Sequence, residues 1–158
     1  MTDPHHPVRI DYPQFKELVP GIHAALLALG KAVAVAGLEA ALLELVKVRA
    51  SQLNACAFCT LYHLDLARRA GVSQVRLDLL AAWHDASCFS ARERAALAWT
   101  EALTRLAVGP VDDAVYAAVA AHFAPPELAA LTTAIAHINA WNRIAGPLRF
   151  TPPVPVAP

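Results

Sequence analysis

An all-α fold in a single domain is predicted by three features of this sequence. The chain is rich in Ala and Leu, which are good helix formers. Its apolar residues recur at spacings of three and four, and no sustained alternating run indicates a strand. A length of 158 residues suits one hydrophobic core. We therefore expect one helical domain over residues 1–150, with helices that pack into an oligomer, followed by a Pro-rich tail over residues 151–158.

Seven helices are predicted, and several of their ends carry local signals. They span residues 13–29, 38–53, 56–70, 73–87, 90–106, 112–123 and 126–145. The third helix is expected to begin after Asn54, a good N-cap, and to stop at Gly71, which follows a positively charged turn. Ser90 and Glu93 form a capping box for the fifth helix. The Pro-Pro-Glu sequence at 125–127 suits the start of the seventh. The tail lacks a helical pattern and is predicted to be an extended arm.

The composition is unusually apolar, which indicates either membrane insertion or large buried interfaces. Hydrophobic residues make up 57 % of the chain and charged residues 16 %, against about 45–50 % and about 25 % in average globular chains. The two longest charge-free runs, 18–30 and 128–142, have 13 and 15 residues. A membrane-spanning helix needs about 20 apolar residues. We therefore predict no membrane span and assign the apolar surplus to a subunit interface.

The charge balance and the N-terminus limit the possible partners and compartment. Thirteen basic and thirteen acidic residues give a formal net charge of zero, and no long basic stretch occurs. This argues against a nucleic-acid or anionic-lipid surface. The N-terminal residues lack the apolar central segment of a signal peptide, so a cytoplasmic location is predicted. In a reducing cytosol, a Cys-x-x-Cys pair indicates catalysis or metal binding rather than a structural disulfide.

The segment "LNACAFCTLYHLD" (residues 53–65) contains the strongest chemical signal. In a helix, Cys56, Cys59 and His63 fall within about 60° of one another on a single stripe. The two cysteine Cα atoms would lie about 5 Å apart, inside the range of a disulfide. Cysteines in the first turn also lie at the positive end of the helix dipole, which favours the thiolate. His63, one turn beyond Cys59, is placed to activate its thiol as a base.

A base of this kind is usually oriented by a third group, and the preceding helix offers Glu44. Glu44, Lys47 and Ser51 share one face of the helix over 38–53. Two helices joined by a tight link pack side by side, so Glu44 could face His63. The alternative is an exposed ion pair of Glu44 with Lys47 at i, i+3.

Other interpretations of the cysteine pair stay open at this point. Free cysteines often pack as small buried apolar residues. Zinc could be held by the two cysteines and the histidine of the motif, with His84 or Cys88 as fourth ligand. Structural zinc sites, however, usually draw a second ligand pair from a distant stretch, which this chain lacks. Thr60 excludes a c-type haem motif, and a helix rather than a strand precedes the pair, which argues against a thioredoxin fold.

The stretch "ELVKVRASQLNACAFCTLYHLDLARRAG" (residues 44–71) resembles the signature of the AhpD-like alkylhydroperoxidases, within the carboxymuconolactone decarboxylase superfamily. Glu44 precedes Cys56 by twelve positions, which matches the spacing of that signature. The resemblance continues through residues 89–104 and 135–153. It implies an all-α subunit that assembles into homotrimers or homohexamers, in keeping with the apolar surplus.

The resemblance also implies a thiol peroxidase that acts on alkyl hydroperoxides in antioxidant defence. Cys59 would be the peroxidatic thiol and Cys56 the resolving one, while His63, linked to Glu44, would carry the proton away. The partners would be a hydroperoxide and an external thiol or dithiol reductant, with no metal and no bound cofactor. Carboxymuconolactone decarboxylases of the same superfamily lack the cysteine pair, which argues against decarboxylation.

Two features of this chain differ from what the family mechanism implies. The helix dipole favours Cys56 as the thiol of lower pKa, whereas the resemblance favours Cys59. Many relatives carry a polar Tyr or His between the cysteines, and Phe58 at this position cannot exchange a proton. A non-enzymatic redox sensor or structural assembly protein with a switchable cysteine pair is therefore the alternative function.

Secondary candidates come from other polar and aromatic residues. Trp83 and His84, together with Trp99, are candidates for the wall of a pocket, although such aromatic residues usually belong to the core. Cys88 lies outside the motif and is expected to be a buried thiol. Four polar residues interrupt the apolar helix over 126–145 and are expected to hydrogen-bond to the backbone or across an interface: His137, Asn139, Asn142 and Arg143. His137 is a secondary candidate for a ligand-binding role.

Overall fold

Helices account for the regular structure of the computed structural model, which describes residues 7–153. Eight α-helices and two short 3-10 segments, at Leu80–Ala82 and Leu106–Val108, occur in that range, and no strand does. The helices are α1 (Tyr12–Leu18), α2 (Pro20–Ala34), α3 (Ala40–Leu53), α4 (Ala57–Arg69), α5 (Gln74–Leu79), α6 (Ala91–Thr104), α7 (Asp113–Ala120) and α8 (Pro125–Leu148). The predicted all-α class is confirmed.

Helix α3 lies at the centre of the fold, where it packs against α4, α6 and α8. Leu45, Val46 and Val48 are fully buried although they point to different sides of the helix. Buried apolar residues on several sides of a helix indicate that other helices surround it. Because α3 also carries Glu44, this central position determines that the carboxylate is enclosed by neighbouring helices.

One apolar cluster joins the cysteine pair to both ends of the chain. Cys56 and Cys59 pack there with Phe15 of α1, Ile138 of α8 and Phe150 beyond α8. Deletion of side-chain volume in such a cluster leaves a cavity that the surroundings fill only partly. The environment of the thiols is therefore built from residues far apart in sequence.

Hydrogen bonds hold the N-terminal segment on the C-terminal end of α8. The backbone N–H groups of Arg9 and Ile10 both donate to the carbonyl oxygen of Leu148, at 3.2 Å. Asp11 accepts from the backbone N–H of Thr151 at 2.9 Å and from its hydroxyl at 2.8 Å. Residues 151–153 form no helix, in agreement with the predicted tail, and the rest of the tail lies outside the described residues.

The first predicted helix, over residues 13–29, is wrong as a single element. Two helices, α1 and α2, meet there at an angle of 110°. The break falls at Val19 and Pro20. Proline has no N–H to donate into the preceding turn, and its ring disfavours the helical conformation of the residue before it. Pro20 instead begins α2, where the missing N–H has no consequence.

The helix predicted over residues 73–87 is shorter than expected. Helix α5 ends at Leu79, and the 3-10 segment that follows ends at Ala82. The guanidinium of Arg94 donates to the carbonyl oxygens of Trp83, Ala86 and His84 at 2.9, 2.9 and 2.8 Å. Because a side chain satisfies these carbonyl groups, the segment does not need helical hydrogen bonds.

Three predicted helix signals are confirmed, and one of them is the Pro-Pro-Glu sequence at 125–127, with which α8 begins. Gly71 has a φ of 87°, and its N–H donates to the carbonyl of Arg68 while that of Val72 donates to Ala67. This is a Schellman motif, in which glycine is favoured because it adopts positive φ without strain. Ser90 and Glu93 form the reciprocal hydrogen bonds of a capping box at the start of α6.

No single helix in the described range is long and apolar enough to cross a membrane, although the bent pair of α1 and α2 meets the length and composition test jointly. Large apolar side chains are exposed on α1 and α2 and at the residue after α2: Leu18, Ile22, Leu27, Leu29 and Val35. The subunit interface expected from the apolar composition stays a prediction.

Candidate active site

A tight link between α3 and α4 places the cysteine pair. Asn54 ends α3 and donates its side-chain amide to the carbonyl of Ala50 at 3.0 Å. Ala55 has a φ of 52°, a left-handed conformation that reverses the chain. Cys56, not Asn54, is the N-cap of α4, and its Sγ accepts the backbone N–H of Cys59 at 3.3 Å. The prediction of Asn54 as the cap is wrong because Ala55 intervenes and the Asn54 side chain turns back to α3.

The two thiols differ in their surroundings although both are buried. Cys56 is 2 % exposed and Cys59 is 3 % exposed. Cys59 lines a cavity, whereas Cys56 does not. Both sulfurs lie in the first turn of α4, at the positive end of the helix dipole.

A hydrogen bond between the two thiols shifts their pKa values in opposite directions. A hydrogen bond from the Cys59 thiol lowers the pKa of Cys56 to about 7, assisted by the Cys59 backbone N–H and opposed by burial. The pKa of Cys59 is raised, first because its thiol donates to Cys56, and then by burial and by the negative charge on Cys56. In the reduced protein the thiolate therefore resides on Cys56, as the helix-dipole argument predicts.

Glu44 connects His63 and Lys47 beside the thiols. One carboxylate oxygen lies 2.7 Å from Nδ1 of His63, and the other accepts from Nζ of Lys47 at 2.7 Å. Burial alone would raise the pKa of Glu44, but the hydrogen bonds and positive charges of His63 and Lys47 hold it below its usual value. The predicted contact of Glu44 with His63 is present, and the ion pair with Lys47 accompanies it rather than replacing it.

A cavity of about 280 Å³ opens beside Cys59. His63 and Lys47 also line it, so the thiol, the imidazole and a cationic group face one space. The other walls are mainly apolar and aromatic, and include Tyr12, Leu27, Ala34, Phe58, Tyr62, Leu66, Ile138 and Trp141. An apolar pocket with a few polar groups that converge is the usual form of a small-molecule site.

A second cavity, of about 420 Å³, lies between α6 and α8. It is larger, but it contains no thiol, carboxylate or imidazole, and its polar lining comes from Thr132, Asn139 and Arg143. The chemistry therefore points to the first cavity, where the titratable groups converge.

Comparison with known proteins identifies the family of this chain. The model of the carboxymuconolactone decarboxylase family matches residues 20–102, more than half of the 158 residues. The chain belongs to the carboxymuconolactone decarboxylase family. It is similar to the uncharacterized protein YdfG of Bacillus subtilis, with 38 % identity over 102 residues, which cover 65 % of this chain and 69 % of YdfG.

Solved structures of other proteins share the fold of this chain. A protein of unknown function from Agrobacterium tumefaciens, for which the role of antioxidant defence protein AhpD has been suggested, has a TM-score of 0.88. It is 36 % identical, and the match covers 94 % of this chain and 99 % of that one. The debrominase Bmp8 has a TM-score of 0.73 at 17 % identity, covering 84 % and 72 %, and this likeness shows the fold alone. The AhpD-like helical fold of this family member is confirmed.

His137, a secondary candidate, lines the cavity but has its ring nitrogens occupied. Its Nε2 accepts from the indole N–H of Trp141 at 3.0 Å, and its ring also hydrogen-bonds the backbone of Leu26. Burial is the main reason why the pKa of His137 is lowered. A Cβ built on Gly30 of α2 would lie only 3.0 Å from His137, so α2 approaches this ring closely. His137 thus serves as a neutral wall residue between α2 and α8.

Trp83 and His84, also secondary candidates, lie outside the cavity. The indole N–H of Trp83 donates to Glu101 at 2.8 Å, and the His84 ring stacks on Trp83 at 3.7 Å. Arg49 forms a buried ion pair with the same Glu101 carboxylate at 2.7 Å. These residues form a polar cluster between α3 and α6, and neither Trp83 nor His84 lines the cavity beside Cys59.

Cys88 is exposed rather than buried, so the expectation for this thiol is wrong. Helical structure ends at Ala82, and the chain then runs as turns across the surface to the start of α6. Trp99, the third aromatic candidate, donates to Thr132 at 3.0 Å and packs in the core.

The asparagines of α8 hydrogen-bond mainly to side chains of the same subunit, which was not expected, and Asn139 alone also makes an expected backbone bond, to the carbonyl of Ile135 at 2.9 Å. Asn54 donates to the side-chain oxygens of Asn139 and Asn142 at 2.9 and 2.8 Å. Asn142 in turn donates to the Ser51 hydroxyl at 3.1 Å. Hydrogen bonding from Asn142 also lowers the pKa of both cysteines. This buried network fixes α8 against the link that carries the thiols.

A cavity residue, Tyr12, and its hydrogen-bond partner, His23, were not predicted from the sequence. Tyr12 lines the cavity, and its hydroxyl lies 2.9 Å from Nε2 of His23. Both precede Cys56 by more than thirty positions, and no local spacing relates them to it. The only signal was His23 itself, a polar residue in an otherwise apolar run.

Zinc was an alternative ligand for the cysteine pair and His63. Within residues 7–153, no group of three or more His, Cys, Asp or Glu side chains is arranged to hold a metal ion. His84, one of the residues considered as a fourth ligand, lies beside Glu101 at 3.5 Å. The observed partners of the motif residues are a carboxylate, a thiol and amides.

We expect Glu44→Gln to lower the free energy of unfolding at about pH 7 by on the order of 1–3 kcal/mol. Folding lowers the pKa of Glu44, so its contribution is complete above the unfolded value of about 4.3 and is lost as the pH falls through the folded value. The difference between wild type and variant in urea titrations should therefore be smaller at about pH 3 than at about pH 7. The exposed Glu17→Gln is the matched control, and an equal difference at both pH values would refute the linkage.

Proposed function

We propose that this protein is a thiol-dependent peroxidase that reduces alkyl hydroperoxides through a dithiol–disulfide cycle of Cys56 and Cys59. The observation that carries the proposal is the meeting of Cys59 and His63, the latter held by Glu44, in one mainly apolar cavity. The similarity to the Agrobacterium protein with a suggested AhpD role supports the same conclusion.

The first half of the proposed cycle takes place at Cys59, because this is the thiol that lines the cavity. Its sulfur attacks one peroxide oxygen, an S–O bond forms and the O–O bond breaks. Cys59 becomes a sulfenic acid, and the other peroxide oxygen leaves as an alkoxide that is protonated to the alcohol. An alkyl group suits the site because aromatic and aliphatic side chains form most of its walls.

The second half joins the two sulfurs. The Cys56 thiolate attacks the sulfenic acid of Cys59, a disulfide forms and water leaves. The Cys56 Sγ already accepts the N–H of Cys59 at 3.3 Å, so the two residues lie in the same helical turn. An external dithiol then reduces the disulfide and restores both thiols.

Cys59 can attack first although Cys56 has the lower pKa, because the two thiols share one proton. The thiolate resides on Cys56, whose pKa is about 7, and the Cys59 thiol donates a hydrogen bond to it. Transfer of that one proton moves the negative charge to Cys59, at the sulfur that a hydroperoxide can reach. Accessibility thus selects the attacking sulfur, although Cys56 has the lower pKa.

His63 and Glu44 are proposed to move protons during the cycle. Nδ1 of His63 is engaged by Glu44 at 2.7 Å, which leaves Nε2 as the nitrogen available to the cavity. A carboxylate that holds the imidazole orients it and stabilises its protonated form. The pair can therefore accept a proton from the thiols and return it to the hydroxide that leaves the sulfenic acid.

Steady-state turnover tests the proposal directly. Protein, tert-butyl hydroperoxide and excess dithiothreitol should yield one molecule of alcohol per hydroperoxide over many cycles. Peptide mapping of the oxidised protein should show a disulfide between Cys56 and Cys59. Cys88→Ser is the matched control and should retain full turnover, because Cys88 is exposed and outside the cavity.

A redox switch is the second candidate, and Phe58 is the observation that favours it. Its ring stacks on Tyr62 at 6.2 Å and supplies no exchangeable proton between the cysteines. Slow proton delivery would leave the oxidised state long-lived. The same assay separates the two functions, since a switch consumes one equivalent of hydroperoxide and then stalls with every reductant tried.

A further inference from the structure

We propose that Tyr12, paired with His23, is a further catalytic residue that protonates the alkoxide released when a hydroperoxide reacts with the thiol. This inference rests on the proposed peroxidase function. It identifies a proton donor for the reaction, a role that Phe58 cannot fill because it has no exchangeable proton. It assigns a chemical role to the N-terminal helices, which lie outside the cysteine motif.

Tyr12 is part of the same cavity wall as the residue that carries the reactive sulfur. Tyr12 and Cys59 both line this cavity, and the Tyr12 ring lies 5.5 Å from that of Phe58, the residue before Cys59. The hydroxyl lies 2.9 Å from Nε2 of His23. A phenol that has an imidazole behind it can give up a proton and be reprotonated at once.

Other polar side chains of the cavity also have hydrogen-bond partners. Lys47 donates to Glu44 at 2.7 Å, and His63 is bonded to the same carboxylate. His137 accepts from Trp141 at 3.0 Å. His63 and Glu44 are assigned to the protons of the thiols, so Tyr12, with His23 as its partner, is the cavity residue left to supply a proton to the alkoxide.

Tyr62 is the second phenol of the cavity, but its setting differs. Its side chain is 48 % exposed and its ring stacks on Phe58. Within residues 7–153 its hydroxyl has no hydrogen-bond partner, whereas that of Tyr12 has His23. A relay needs such a partner, which favours Tyr12 as the donor.

Contacts at both chain ends hold Tyr12 in place. Asp11 caps α1 by accepting the backbone N–H of Tyr12 at 2.8 Å, and Thr151 donates twice to the same carboxylate. Burial, and after it the proximity of Tyr62, raises the pKa of Tyr12. The phenol therefore keeps its proton at neutral pH, as a general acid must.

The proposed step balances in atoms and charge. The Cys59 thiolate forms an S–O bond with one peroxide oxygen, and the electron pair of the O–O bond leaves on the other oxygen as an alkoxide. Tyr12 transfers its hydroxyl proton to this alkoxide, which gives the alcohol. His23, with its proton on Nε2, reprotonates the phenolate and regains a proton from solvent.

Tyr12→Phe tests the inference, because it keeps the ring and removes only the hydroxyl. Reduced protein is mixed with tert-butyl hydroperoxide, whose alkoxide needs a proton, and separately with peracetic acid, whose carboxylate leaves without one. We expect the rate of thiol loss to fall on the order of 100-fold with the alkyl hydroperoxide and to change little with peracetic acid. An unchanged rate with peracetic acid also shows that the thiols of the variant keep their reactivity.

Further variants make the outcome decisive. Tyr116→Phe, at an exposed residue outside the cavity, should react as wild type with both oxidants. An unchanged rate for Tyr12→Phe, an equal loss with both oxidants, or a larger loss for Tyr62→Phe would overturn the role of Tyr12 and leave the peroxidase proposal standing. Failure of the wild type to react with either oxidant would overturn both.

Discussion

Cys59→Ser is expected to abolish hydroperoxide turnover, leaving no more than the uncatalysed rate. Cys59 is the thiol that lines the cavity, and a serine hydroxyl cannot form the sulfenic acid on which the cycle depends. Consumption of tert-butyl hydroperoxide with excess dithiothreitol is the measurement. The remaining Cys56 is 2 % exposed and lies outside the cavity wall, so it should stay reduced during the assay.

Cys56→Ser should behave differently, and the contrast tests the order of the two sulfurs. Without a resolving thiol, Cys59 should consume one equivalent of hydroperoxide and accumulate as sulfenic acid, which dimedone traps and mass spectrometry locates. Cys88→Ser serves as the control for loss of a cysteine as such. Rapid formation of sulfenic acid at Cys56 in the Cys59→Ser variant would instead make Cys56 the attacking thiol, as its lower pKa suggests.

Glu101→Gln is expected to produce the largest loss of stability, about 3–5 kcal/mol in the free energy of unfolding. The Glu101 carboxylate accepts from Arg49 at 2.7 and 2.9 Å and from the indole of Trp83 at 2.8 Å. The side chains of Arg49 and Glu101 are only 11 % and 12 % exposed. Removal of one charge therefore leaves a guanidinium buried without its counter-ion. Urea unfolding followed by circular dichroism gives the free energy.

An exposed ion pair provides the comparison for this variant. Arg69 and Asp65 lie 2.8 Å apart on α4, with side chains 74 % and 55 % exposed. Asp65→Asn should lower stability by less than about 1 kcal/mol, because water screens this pair. If both variants lost the same free energy of unfolding, burial of the Arg49–Glu101 pair would not increase its contribution to stability. Hydroperoxide turnover of the folded Glu101→Gln protein should stay near wild type, since Glu101 lies outside the cavity.

Much of the candidate site was predictable because its spacing is local. Cys56, Cys59 and His63 lie within two turns of α4, and helix geometry alone puts them on one side. The prediction that Glu44 contacts His63 required one further assumption, that consecutive helices pack side by side. The hydrogen bond of 2.7 Å between Glu44 and His63 agrees with that assumption.

The errors fall where a single residue or a distant side chain overrides the local pattern. Pro20 divides an apolar run that looked like one helix into α1 and α2. Ala55 adopts a left-handed conformation that propensity does not favour for a non-glycine residue, and this shifts the cap to Cys56. Arg94 satisfies three carbonyl groups and so ends the helical structure before Trp83.

The sequence by itself determined the all-α class, the helix ends at Gly71 and Ser90, and the shared stripe of the two cysteines and His63. Each of these follows from hydrogen bonds and side-chain directions within a few residues. Only the tertiary structure decided which thiol meets the cavity, and that Tyr12 joins its wall. Those facts depend on how α1, α2 and α8 pack around α4, through contacts between residues more than forty positions apart that no local pattern encodes.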